Sequence, residues 1–307
     1  MTEFEDQGLP LTALAVAAGR AVETTRPDAL AADPFATGLV EAARSHVDFP
    51  TVWPAHPEAA PPLQQPLLLA SIYIGLRTRF IDDFLEQRQQ TAQAVILGAG
   101  LDTRAYRLSW PAGARVYELD LANVLDFKAA VMASFAARPA CELVSVTADL
   151  SQPWEQPLLA AGFDPQQPTT WVIEGLLPYL SANAQLATLQ AVLALSPSGS
   201  RAVIERAVPL PAGEDVEAKL RDFSAQTGLS MGELLARANP PDPARLLEAA
   251  GWECSEHPIR ELCVRYGRTI SLTATDGSAQ GRPLKRESQD TGQSRGGFVT
   301  AGLPAHT

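Results

Sequence analysis

One short segment limits the folds open to this chain more than any other. Ala94-Val95-Ile96-Leu97 is a compact apolar run that stops at Gly98-Ala99-Gly100. A run this short and this apolar reads as a strand buried on both faces. Two glycines straight after it let the backbone turn tightly, pass close to a ligand and free amide groups at the next helix start. Gly-x-Gly alone is weak, because ordinary turns supply it often. Here a second strand, Arg115 to Asp120, follows and ends on an acid 20 residues past Gly100. That is the interval at which a carboxylate on the second strand holds ribose hydroxyls in nucleotide-binding sheets. The competing reading is a solvent-facing Asp120 that caps the helix after it. Glu118 shares a face with Asp120 by strand alternation and is the reserve candidate. The third glycine of the dinucleotide fingerprint is missing, with Thr103 where it belongs, which counts against NAD or FAD.

The rest of the chain fits around that segment. Further strands are expected at Glu142–Val146, Thr170–Glu174, Arg201–Glu205, Trp252–Ser255 and Phe298–Leu303. Helices are expected at Val124–Ala137, Trp154–Ala161, Ala182–Ala194 and Asp242–Gly251. Strands alternating with helices argue for an α/β fold with a mostly parallel sheet covered on both faces. Before Gln93 the patterning is helical. Pro10–Val22 is Ala-rich, and Pro66–Gln89 carries Leu69, Ile72, Tyr73, Leu76, Phe80, Phe84 and Leu85 on one face. Residues 1–90 therefore read as a helical cap and 91–307 as the sheet domain. The alternation stops at about 209–241, where two helices, Val216–Thr227 and Ser230–Arg237, read as a lid over the carboxyl edge of the sheet. Thr275–Gly297 is polar and reads as a loop.

Composition sets outer bounds. With 307 residues and 46% hydrophobic content the chain can bury a large core. A net charge of −11 has the wrong sign for steering to nucleic acid or an anionic membrane. Cys141, Cys254 and Cys263 form no Cys-x-x-Cys, so neither a disulfide framework nor a thiolate metal site is read. The acidic first residues, with no long apolar stretch after them, give the expectation of a soluble, cytoplasmic protein.

Two more points of chemistry lie on the same sheet edge. Asp149-Leu150 follows the third strand, where an acid can accept the exocyclic amine of an adenine and a leucine can cover the ring; the alternative is a turn cap. Trp171-Val172-Ile173-Glu174-Gly175 is an apolar strand ending in an acid, which is costly to bury unless it meets a cation. Tyr179 lies near the same mouth and is the only candidate for orienting an acceptor, with core packing as the alternative. His46, His56, His257 and His306 fall in expected loops or tails without triad-like partners. No Gly-x-Ser-x-Gly elbow, P-loop lysine or Tyr-x-x-x-Lys pair is present.

Ile96-Leu-Gly-Ala-Gly-Leu-Asp-Thr-Arg-Ala-Tyr-Arg-Leu108, Tyr117-Glu-Leu-Asp120, Ala148-Asp-Leu150, Ile173-Glu-Gly-Leu-Leu-Pro-Tyr-Leu180 and Ser71-Ile-Tyr-Ile-Gly-Leu-Arg77-Thr-Arg79-Phe-Ile-Asp82 together resemble the leucine carboxyl methyltransferase-like group of class I S-adenosyl-L-methionine (SAM)-dependent methyltransferases, and its actinobacterial members in particular. The resemblance spans roughly residues 8–270. It implies a Rossmann-like, seven-stranded sheet with the last strand antiparallel, a helical N-terminal cap and a lid after the fifth strand. It implies SAM as cofactor, with Arg77 on its carboxylate, Gly98 against the methionine part, Gly100 also among the cofactor-binding residues, Asp120 on the ribose, Asp149 and Leu150 on adenine, and Glu174 at the amino end. Without it, Arg77 reads as a solvated helix cation. The resemblance implies methyl transfer from SAM but does not choose the substrate, since polyketide-type and protein-directed members share the cofactor pattern. A carboxylate needs no general base and no histidine has a triad-like partner, so O-methylation is expected, of a small-molecule carboxylate ahead of a hydroxyl, such as a secondary or polyketide-type metabolite. A carboxylate acceptor would need a local cation such as Arg79 or an arginine of the lid. A SAM-binding regulator and an NAD(P)-dependent oxidoreductase are the rival readings.

Overall fold

The computed structural model describes residues 9–43, 48–62, 64–87, 91–206, 241–272 and 296–305. The helices expected at Val216–Thr227 and Ser230–Arg237, and nearly all of the expected Thr275–Gly297 loop, lie outside the described residues. Three helices come first: α1 (Leu11–Thr24), α2 (Ala36–Ala42) and α3 (Gln65–Leu85). Then β1 (Gln93–Leu97), α4 (Arg104–Arg107), β2 (Arg115–Asp120), α5 (Ala122–Ser134), β3 (Glu142–Thr147), α6 (Glu155–Ala160), β4 (Thr169–Ile173), α7 (Ala182–Ala194) and β5 (Arg201–Arg206) alternate. After these come α8 (Pro243–Ala249), β6 (Glu253–His257), α9 (Ile259–Arg265) and β7 (Gly297–Gly302).

The seven strands form one sheet in the order β3-β2-β1-β4-β5-β7-β6. Strands β1 to β5 pair in parallel, and β7 runs antiparallel between β5 and β6. The central strands β1, β4 and β5 are buried along their whole length, which is why each carries an unbroken apolar stretch, Ala94–Leu97, Trp171–Ile173 and Ala202–Ile204, rather than an alternating pattern. One face packs Val95, Leu97, Tyr117 and Trp171 against Trp154, Phe163, Leu189 and Trp252. The other packs Ile96, Val116, Val172 and Phe298 against Phe80, Ile81 and Phe84 of α3.

Helix α3 therefore has two duties. Its second half lies on the sheet, and its first half crosses α1. Glycines make that crossing close: a Cβ on Gly19 would lie 2.3 Å from Ile74 Cδ1, and one on Gly75 would lie 2.5 Å from the Glu23 side chain. This crossing sets α1 over the carboxyl ends of the parallel strands. Helices α2, α4 and α9 lack a long apolar stripe and are not evident in the sequence. His257 corrects the expectation of a loop position. It is the last residue of β6, half-buried, bonded to Thr300 Oγ1 at 2.8 Å and packed on Phe80, and burial pushes its imidazole below the usual value.

Trp171 is fully buried at the middle of β4 and contacts both Trp154 and Phe163. Trp171→Ala is expected to cost about 3–5 kcal/mol, read as a lower urea midpoint; a loss under about 1 kcal/mol would show that the two tryptophans are not the centre of that core face.

Candidate functional site

The carboxyl ends of β1, β2, β3 and β4 open into a pocket of about 340 Å³ closed on one side by α1. All of the residues singled out at this edge line it: Arg77, Gly98, Gly100, Asp120, Asp149, Leu150, Glu174 and Tyr179. The glycine turn is built as its sequence demands. Gly98 and Gly100 have φ of +69° and +49°, the left-handed region that side chains resist. A Cβ on Gly98 would also press to 3.2 Å from Leu176 Cδ1. The backbone is thus bare where a ligand would approach. Asp120 accepts the Gly100 amide at 2.7 Å and the Leu121 amide at 2.7 Å, one on each oxygen. Each oxygen retains a lone pair, the equipment needed for two vicinal hydroxyls. Glu118 goes elsewhere: it is fully buried beneath α5 and paired with Lys128 at 2.7 Å, so the reserve candidate is excluded from the pocket.

Asp149 is exposed at the rim. Its Oδ1 accepts the Ser151 hydroxyl at 2.7 Å and the Ser151 amide at 2.9 Å, and these bonds hold its carboxyl below the usual range. It is therefore both the turn residue and a pocket residue, with Oδ2 left over. Leu150 beside it is buried. Tyr179 is half-exposed at the mouth, and its hydroxyl meets the side chain of Thr12 on α1. It is not a core residue. Arg79 faces away, on the exposed side of α3, paired with Asp83 at 2.8 Å. It is not the local cation that a carboxylate acceptor would need.

The end of the pocket near β4 is a buried network of charge. Arg77 is not solvated; it is 6% exposed. Its Nε lies 2.6 Å from Glu174 and its Nη1 lies 3.2 Å from Glu205 at the end of β5. Arg104, 2% exposed, reaches Glu174 at 2.5 Å and Asp82 at 2.7 Å, and pairs with Asp102. Arg107 adds a bond to Asp82 at 2.6 Å. Burial raises the Glu174 carboxyl, but Arg104 and then Arg77 outweigh it and hold Glu174 below the ordinary range. Burial likewise raises Asp102, and Arg104 outweighs it, bringing Asp102 to about 2. A second buried link ties the cap to the glycine turn. Arg20 bonds Asp33 at 2.7 Å and the Leu101 carbonyl at 2.6 Å, and Thr103 donates to the same Asp33 at 2.8 Å. The position that holds glycine in the dinucleotide fingerprint is used here to dock the cap.

Sequence reasoning gave no role to Arg104, Asp102, Asp82, Glu205, Arg20 or Asp33. One signal was present: Asp102-Thr103-Arg104 puts two charges directly after a buried glycine turn, where neither can stay unpaired. Among the described residues no cluster of three metal-ligating side chains occurs, and no helix is long and apolar enough to cross a membrane.

A mostly parallel sheet of this order, with β7 antiparallel, a glycine turn after β1 and an acid closing β2, defines the class I methyltransferase fold. The model of the leucine carboxyl methyltransferase family matches residues 13–193. A protein of Saccharopolyspora erythraea is 38% identical over 278 residues, 89% of this chain and 93% of that one. One of Mycobacteroides abscessus is 40% identical over 262 residues, 83% of each. Both carry the provisional name of S-adenosyl-L-methionine-dependent methyltransferase. Among solved structures, a duf574 family protein of Streptomyces avermitilis aligns with a TM-score of 0.48 at 14% identity, over 83% of this chain and 92% of that one. The chain belongs to the leucine carboxyl methyltransferase family, a family of SAM-dependent methyltransferases.

The network gives a pH signature with a definite sign. Both Asp102 and Glu174 sit below their ordinary values of 3.8 and 4.5, so their stabilisation is present above those values and is lost as pH falls toward about 2. Arg104→Met removes the main cause. It should cost about 3–5 kcal/mol at pH 7, where buried carboxylates lose their partner. The gap to the native protein should close as pH falls through 4.5, because protonation relieves those acids. Urea unfolding between pH 7 and pH 2.5 checks this; a gap that stays constant would contradict it.

Proposed function

We propose that the protein uses SAM to methylate an oxygen of a small molecule, and that the pocket at the carboxyl edge of the sheet is the SAM site. The observation that carries the reading is the charge of the lining. Four acids, Asp102, Asp120, Asp149 and Glu174, face two arginines, Arg20 and Arg77. Both arginines are already bonded to acids. Such a pocket favours a ligand with net positive charge and repels the pyrophosphate of a dinucleotide. The donor set fits SAM part by part. Asp120 would hold the ribose hydroxyls, and Asp149 with Leu150 would meet the adenine. Glu174 would accept from the amino group, with Arg77 beside it for the carboxylate. Bound there, SAM supplies a methyl group on a sulfonium, a leaving group that needs no further activation.

What the chain must add is alignment and dryness. Pro10, just before α1, with Ala13 and Val16 on it forms an apolar wall over the pocket, and Leu176 and Leu180 form another. Tyr179, anchored to Thr12, stands between these walls and could orient an acceptor. The described lining contains no histidine, and its acids are engaged in bonds. That favours an acceptor already ionised at neutral pH, a carboxylate, which needs no general base; a hydroxyl acceptor is the alternative form of the same reaction.

Calorimetry tests the cofactor. S-adenosylhomocysteine should bind and NADPH should not, and Asp120→Ala should weaken binding about 10- to 100-fold, the range for losing hydrogen bonds to a charged group. Unchanged binding would remove Asp120 from the site. The acceptor is tested by incubating the enzyme with SAM labelled in its methyl group and a small-molecule extract. Label released as methanol by mild alkali marks a methyl ester; label that resists alkali marks an ether. Incorporation into amines alone would contradict O-methylation.

A further inference from the structure

Glu205 is the last acid of β5 before the chain leaves the sheet, and none of the ligand contacts above involves it. It does not line the pocket, yet both of its oxygens are engaged by groups next to it. Oε2 accepts the Gly175 amide at 2.6 Å and Arg77 Nη1 at 3.2 Å. Oε1 accepts the Tyr73 hydroxyl and lies 3.4 Å from Arg77 Nη1. Glu205 is 7% exposed. Tyr73 lies one helical turn before Arg77 on α3, so a single helix face presents both donors to the acid. Gly175 follows Glu174 directly. One carboxylate therefore fixes the residue after Glu174 and the guanidinium beside Glu174 at once.

The consequence follows from how Arg77 is shared. Its Nε is on Glu174 and its Nη1 is on Glu205. Neither contact uses Nη2, and Arg77 lines the pocket. A guanidinium held from both sides keeps a fixed plane. Held from one side, it would turn onto Glu174 as a bidentate pair, the geometry that arginine and carboxylate prefer. Glu174 would then have fewer lone pairs for an ammonium, and the Arg77 edge available to a carboxylate would be lost. We propose that Glu205, braced by Tyr73, is a positioning residue that limits Arg77 to a single contact with Glu174, leaving the Nη2 edge of Arg77 and the remaining lone pairs of Glu174 to receive the amino-acid end of the cofactor. The assignment rests on the SAM reading above.

Two ligands separate positioning from general stability. S-adenosylhomocysteine carries the amino-acid end; 5′-methylthioadenosine has the same nucleoside and thioether without it. In calorimetry on the full chain, Glu205→Gln is expected to weaken S-adenosylhomocysteine about 10-fold or more and to leave 5′-methylthioadenosine within about two-fold, inside the error of such comparisons. Tyr73→Phe, which keeps the ring and removes only the brace, should shift the same ratio in the same direction by less. Glu205→Asp should recover part of the loss. If Glu205→Gln does not fold, Tyr73→Phe decides. Equal loss of both ligands, or S-adenosylhomocysteine unchanged or tighter, would overturn the proposal. Failure of the native protein to bind either ligand would overturn the SAM reading itself.

Discussion

Arg104 is the charge on which the rest of the site depends. A guanidinium 2% exposed at the carboxyl edge of a sheet cannot stand alone, because an unpaired buried charge costs several kcal/mol. It draws in Asp82 from α3, Asp102 from the glycine turn and Glu174 from the end of β4. Those acids come from three separate elements, so satisfying one arginine fixes where three pieces of chain meet. Arg107 and Arg77 extend the set to Glu205. Four acids then share three arginines. The surplus is one negative charge, beside a pocket whose lining is itself acidic. Burial makes such a surplus expensive unless a cation completes it, and a sulfonium cofactor with an ammonium group is of that kind.

The same wiring explains why the helical cap belongs to the site. Helix α3 carries Tyr73, Arg77 and Asp82 on its inner side, while its apolar second half is packed on the sheet. Helix α1 crosses α3 at Gly19 and Gly75 and is fastened to the glycine turn through Arg20, Asp33 and Thr103. Three residues further along α1, Glu23 is paired with Arg268, 245 residues away in the chain. The cap is thus held by two buried ion pairs in the last turns of α1, and the Ala13–Val16 stretch nearer its start closes the pocket.

The sheet was largely legible because buried parallel strands leave an unmistakable mark. Ala94–Leu97 and Trp171–Ile173 are apolar without alternation, and Asp242-Pro243 with Gly251 brackets a helix. Asp120, Asp149 and Glu174 were legible because each sits at a strand end, where a lone acid after apolar residues is conspicuous. Arg77 was not legible from local pattern. On a helix its charge reads as solvated, and only the distant Glu174 and Glu205 make it buried. Arg104, Asp33 and Glu205 were hidden for the same reason: apart from Asp102 beside Arg104, the side chains they bond lie between 13 and 132 residues away. The short helices α2 and α9, at 7 residues each, carry too little periodicity to stand out. His257 was misplaced because the strand expected at Trp252–Ser255 continues through Glu256 and His257, whose polar side chains give no sign that it does.

The measurement that tests the account most directly is a crystal structure of the protein with S-adenosylhomocysteine. The ribose hydroxyls are expected on Asp120, the adenine against Leu150 and Asp149, and the amino-acid end between Glu174 and Arg77, with Arg104 unmoved. A nucleoside bound in the reverse sense, or a ligand held away from Asp120 with the Arg77–Glu174 contact closed to it, would contradict it.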